Sequence, residues 1–103
     1  MAECKYCGGQ AKYKATPRSQ EEIKNLKTRL HKVIGQLNGV EEMLDNNRYC
    51  GDLLVQISAA EKALANIGYI VLKSHMESCV VEDIQNGKVE VLDEVIDLMK
   101  KLK

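Results

Sequence analysis

A chain of 103 residues, 45% of them hydrophobic, makes one domain with a modest core and little room for the deep cleft of a large enzyme. A single proline, the absence of Phe and Trp, and 29% charged residues favour helices over a sandwich or barrel. Formal net charge is zero but unevenly placed: residues 1–40 carry eight Lys/Arg against three Glu, a surplus that the remainder cancels. That polarity fits a basic first helix facing phosphates, with an acidic remainder limiting nonspecific binding, or else ordinary solvated charge.

Residues 1–18 contain Gly8, Gly9 and Pro17 without an apolar period, and read as an N-terminal extension ahead of a helical domain at 19–103. Met1 to Gln20 has no apolar run, and no stretch approaches the roughly 20 apolar residues of a membrane span, so a cytoplasmic protein is expected. In a reducing compartment four cysteines read as ligands or redox thiols rather than as a disulfide framework. Two of them stand in Cys4-Lys5-Tyr6-Cys7-Gly8-Gly9, half of a zinc knuckle, but two thiolates do not fill a tetrahedral site and no second pair follows. The pair is either part of an unliganded tail or an accessory metal or redox site.

Ser19-Gln20-Glu21-Glu22 is a capping-box signature, and apolar residues follow at Ile23, Leu26, Leu30, Val33, Leu37, Val40 and Leu44 in steps of three and four. The pattern predicts a helix over about 19–46, closed by the turn chemistry of Asp45-Asn46-Asn47. A second seam through Cys50, Leu53, Ile57, Ala60, Leu64, Ile67 and Val71 predicts one long helix over about 50–81, weakened locally at Gly68. Asn86-Gly87 is a stop signal, and Val91, Val95, Leu98 and Leu102 mark a third helix over about 88–102, with Lys100, Lys101 and Lys103 at its C-terminal end. The expected fold is all-α, an antiparallel hairpin of two long helices plus a short one. It exposes more apolar seam than a monomer covers, so oligomerisation into a dimeric four-helix bundle is expected.

His75 and Cys79 lie four residues apart on the second helix, on one face and about a turn apart. Cys50 stands at the other end, and 25 residues at 1.5 Å each put it about 37 Å from His75 within one chain. An antiparallel second copy removes the obstacle by laying its own Cys50 beside the first chain's His75 and Cys79, giving two equivalent sites across a twofold axis. Two thiolates and an imidazole make a soft three-coordinate set that suits Cu(I), while Zn(II) with a water as fourth ligand remains an alternative. Facing thiolates also suit a redox sensor, in which His75 has no evident role.

These residues resemble the copper-sensing CsoR-like repressors, relatives of nickel/cobalt and formaldehyde sensors. The resemblance covers about Ser19 to Lys103 and rests on the runs from Arg29 to Leu37, from Asn47 to Ala59 and from His75 to Val80. It implies that Cys50, His75 and Cys79 form a Cu(I) site, with Tyr49 and Glu94 coupling the histidine to the rest of the structure. It implies a homodimer or homotetramer, a dimer of dimers, that binds operator DNA when apo and releases it with metal. The fold lacks a helix-turn-helix, so the resemblance makes the basic face of the first helix the DNA surface, with Arg29 and Lys32 foremost and Lys24 and Lys27 in support. Binding of that kind is dominated by phosphates and sensitive to salt.

A metal-responsive repressor is therefore the expected function. The competing readings are a persulfide or redox-sensing repressor using Cys50 and Cys79, and a helical metal carrier with no DNA role. No nucleophile with a placed base and an oxyanion pocket is evident, so no enzyme is expected.

Overall fold

The structure is a computed structural model that describes residues 13, 14 and 17–102. Helix α1 runs over Gln20–Asp45 and α2 over Cys50–His75. The same rod continues through a π-helical turn at Met76–Val80 into α3 at Val81–Gln85, and α4 follows at Val91–Lys101.

The ends of α1 follow from local chemistry. Ser19 caps it by accepting a hydrogen bond from the Glu22 backbone N–H at 3.1 Å. Glu22 does not close the reciprocal half of the box; its carboxylate lies 3.8 Å from Arg18 instead. At the C-terminus Asn47 takes the left-handed conformation with φ 53°, while the Asn47 N–H reaches the Leu44 carbonyl and the Arg48 N–H the Met43 carbonyl. These two bonds make a Schellman motif, and they turn the chain directly into α2.

The same device ends α3. Gly87 has φ 81°, its N–H reaches Ile84 O, and the Lys88 N–H reaches Asp83 O at 2.8 Å. The stop expected at Asn86-Gly87 is therefore made, although the second helical rod runs a turn beyond the expected 81 before reaching it. A Gly87→Ala change should cost about 1 kcal/mol, because a Cβ is strained at that φ. A urea denaturation series would show it as a lower midpoint with an unchanged slope.

The π-helical turn was not anticipated, and Ser78 lies within it. Its hydroxyl donates to the Ser74 carbonyl at 2.8 Å, occupying the acceptor that an α-helix offers to the Ser78 N–H. The backbone widens to i→i+5 bonding, seen where the Val81 N–H reaches Met76 O.

The core is thin. Val33 of α1 and Ala60 and Ile67 of α2 are buried, and Val80, Val91 and Val95 form a cluster where α4 folds back along the end of the rod. Gly68 admits Leu102 at close range, since a Cβ there would lie 2.5 Å from Leu102 Cδ2. The protomer measures 56 × 27 × 26 Å with a radius of gyration of 17.3 Å, against about 13 Å for a compact domain of this length. Its heptad seam is split accordingly. Val33 turns inward, whereas Leu30, Ile34, Leu37 and Leu44 remain on the surface, Ile34 at 52% exposure. No helix among the described residues is long and apolar enough to cross a membrane.

Candidate metal centre and DNA-facing surface

Cys50 is the first residue of α2 and is exposed. His75 is the last, half-buried, with its Nε2 shielded from solvent and without a hydrogen-bond partner in the protomer. Cys79 is half-buried in the π-helical turn, its Sγ 3.6 Å from Ser78 Oγ. The turn thus begins directly after His75 and contains Cys79, and widened helix turns of this kind recur at functional sites. Among the described residues no three His, Cys, Asp or Glu side chains gather closely enough to hold a metal.

Helical periodicity places the two ends of α2 on a shared stripe. Cys50, Ile57, Leu64, Gly68 and His75 succeed one another in steps of seven, seven, four and seven, all on one side of the line through Ala60 and Ile67 that faces α1. On α1, Leu30, Ile34, Leu37 and Leu44 lie in the same rotational sense from Val33. In an antiparallel hairpin the two stripes therefore share one flank, where Cys50, Ile57 and Leu64 are exposed while Gly68 and His75 are half-buried beside α4.

His75 also borders a groove of about 420 Å³ between α2 and α4, floored by Val71, Leu72, Leu98 and Leu102 and rimmed by Lys14, Arg18 and Lys101. The Lys14 ammonium donates to Ser78 Oγ at 3.2 Å, so the segment before α1 is pinned to the π-helical turn beside Cys79. Sequence reading missed this contact, because a pair separated by 64 positions leaves no local pattern.

Tyr49 is the N-cap residue of α2 and 76% exposed, its ring lying across Gly51, where a Cβ would be 2.5 Å from Tyr49 Cε2. Glu94 is exposed in the first turn of α4. Neither reaches His75 Nε2 within the protomer. Cys4 and Cys7 lie outside the described residues.

The flank opposite the apolar stripe is polar. Arg29, Lys32, Gln36, Asn25 and Thr28 of α1 share a groove of about 300 Å³ with Asn66 of α2, and Arg29 Nε donates to Asn25 Oδ1 at 3.3 Å. Lys24 and Lys27 line a different recess with Gln20, Ile23 and His31. The four basic residues thus wrap around α1 across two recesses rather than forming a single patch.

The profile of the metal-sensitive transcriptional repressor family matches residues 22–101. The copper-sensing transcriptional repressor CsoR of Bacillus subtilis is 38% identical over 85 residues, 82% of this chain and 84% of that one. In structure the chain is similar to the Cu(I)-bound copper-sensing repressor CsoR of Geobacillus thermodenitrificans, with a TM-score of 0.78 at 44% identity, over 84% of this chain and 91% of that one. It is also similar to the nickel-responsive transcriptional regulator InrS, with a TM-score of 0.69 at 29% identity, over 85% of this chain and the whole of that one. With the family's profile spanning both long helices and α4, the chain belongs to the metal-sensitive transcriptional repressors, regulators rather than enzymes.

Proposed function

We propose that this chain holds operator DNA in its apo form and releases it when Cu(I) binds Cys50 of one protomer together with His75 and Cys79 of its partner. One observation carries the intersubunit part. Cys50 and His75 stand at opposite ends of one stripe of α2, exposed from Cys50 to Leu64 and half-buried beside α4 at Gly68 and His75, about 37 Å apart by helix rise, so antiparallel stacking of two such stripes brings each Cys50 to the other protomer's His75 and Cys79. The stacking also buries the leucines and isoleucines that one protomer leaves in water.

Two thiolates and one imidazole satisfy a soft ion of low coordination number, which favours Cu(I) over Zn(II) and over the nickel sensed by InrS. The copper-sensing relatives support the same ion. Residues 19–103 form the sensing and DNA-binding domain of a cytoplasmic homodimer, paired further into a tetramer. Tyr49, donated with Cys50, and Glu94 orient His75 once the partner is in place. X-ray absorption on protein loaded with one Cu(I) per chain tests the site: two sulfurs and one nitrogen are expected, and an all-sulfur or four-coordinate shell would refute it.

The polar flank carries the DNA. Arg29 and Lys32 engage phosphates from the α1–α2 groove, and Lys24 and Lys27 add charge from the adjoining recess. Because release by metal and release of metal are linked, the DNA complex binds Cu(I) less tightly than free repressor by the same factor. An Arg29→Ala/Lys32→Ala variant should lose about two units of the log–log salt slope per protomer engaged, read from anisotropy titrations at several salt concentrations. Its Cu(I) affinity without DNA should not change.

A further inference from the structure

Three cations gather at the end of α2 where His75 and Cys79 stand: Lys14, Arg18 and Lys101 rim the groove that His75 lines. The Arg18 guanidinium has Glu22 at 3.8 Å, and Glu77, two residues before Cys79, is turned to Lys73 at the same distance. Among the described residues no carboxylate lies within ion-pair reach of Lys14 or Lys101. Lys14 is also tied to a candidate ligand. Its ammonium donates to Ser78 Oγ at 3.2 Å, and that oxygen lies 3.6 Å from Cys79 Sγ, so the fixed charge and the sulfur are at most about 7 Å apart.

We infer that Lys14, with Lys101 in support, makes the sensor site prefer Cu(I) to Zn(II) by charge as well as by coordination number. The inference rests on the Cys50, His75 and Cys79 site proposed above. Two thiolates and a neutral imidazole around Cu(I) carry one net negative charge, whereas the same donors around Zn(II), with a water as the fourth, carry none. An ammonium held close by attracts the first assembly and is nearly indifferent to the second. The apo protein is common to both equilibria, so the ratio of the two affinities depends on the loaded states alone. Val71, Leu72, Leu98 and Leu102 floor the same groove and leave less water there to screen the attraction. A lysine that only pinned the segment before α1 to the π-helical turn would act on both ions alike.

Anaerobic competition with chromophoric chelators gives the affinity of the full chain for each ion. Lys14→Met keeps the length of the side chain and drops its charge, and should weaken Cu(I) about tenfold while leaving Zn(II) within about twofold. Lys14→Arg should restore the ratio, and Lys14→Met/Lys101→Met should lower it further. An unchanged ratio in Lys14→Met, or a Lys14→Arg variant as impaired as Lys14→Met, would overturn the inference. X-ray absorption on the unaltered chain loaded with Cu(I) keeps this claim apart from the one it rests on. A shell of two sulfurs and one nitrogen with an unchanged ratio leaves the sensor site standing and removes the role of Lys14. An all-sulfur shell removes the site, and the inference with it.

Discussion

Replacing His75 with alanine is expected to leave apo DNA binding intact and to abolish its reversal by Cu(I). His75 lies on the stripe opposite the basic groove, so removing it touches no phosphate contact. What it removes is the nitrogen donor and the link from the metal to the rest of the fold. A coupling of typical size, 5- to 150-fold in DNA affinity or about 1–3 kcal/mol, should collapse to none even if the two thiolates still capture the ion. Anisotropy titrations of operator DNA with and without one Cu(I) per chain measure it. A persulfide sensor acting through Cys50 and Cys79 predicts the opposite for sulfur donors, whose effect on DNA release would survive in His75→Ala.

The second large effect is expected from Ile34→Glu. Ile34 is 52% exposed in the protomer, at the middle of the α1 stripe, and the proposed stacking of two protomers would bury it. An unpaired carboxylate in that seam costs about 3–5 kcal/mol, and the twofold axis introduces one from each chain. Dimerisation should weaken by at least about a hundredfold, which sedimentation equilibrium would show as monomer at micromolar concentration. The Cu(I) site should disappear with it, since a monomer brings only His75 and Cys79 together. Helicity should fall little, because Val33, Ala60 and Ile67 hold the hairpin from the other side of the seam.

That contrast marks where the sequence stops being legible. The periods of α1 and α2, the Ser19 cap and the stops at Asn47 and Gly87 are local, and each appears in the structure close to where its chemistry predicts. The heptad seam showed that Leu30, Val33 and Leu37 are apolar but not which partner covers each one. Val33 packs on its own α2, and its neighbours await a second chain. The separation of two candidate ligands was legible for a similar reason of scale: Cys50 and His75 stand at the two ends of α2, too far apart to meet within one protomer, whatever the side-chain detail. The π-helical turn and the Lys14 contact were not legible. The first leaves no local pattern, since Thr28 makes the same hydroxyl bond to the carbonyl four residues back in α1, which stays α-helical. The second depends on α1 running back to the far end of α2.

Tyr49 and Glu94 show the remaining gap. Both stand free of His75 Nε2 in the protomer, so the coupling role proposed for them needs a second chain that brings Tyr49 alongside Cys50. The Tyr49 ring lies against Gly51, so a side chain at that position would displace the ring next to Cys50.

The intersubunit site is tested most directly by mixing two inactive variants. Cys50→Ala alone and His75→Ala/Cys79→Ala alone should each lack a complete sensor site. Unfolded together and refolded as a one-to-one mixture, they should regain about a quarter of the unaltered capacity for the two-sulfur, one-nitrogen Cu(I) site, because half of the dimers are mixed and each mixed dimer completes one site of two. Recovery of that spectroscopic signature, together with Cu(I)-driven DNA release, is the predicted result. A mixture that stays as silent as its components, while sedimenting as a dimer, would contradict the account.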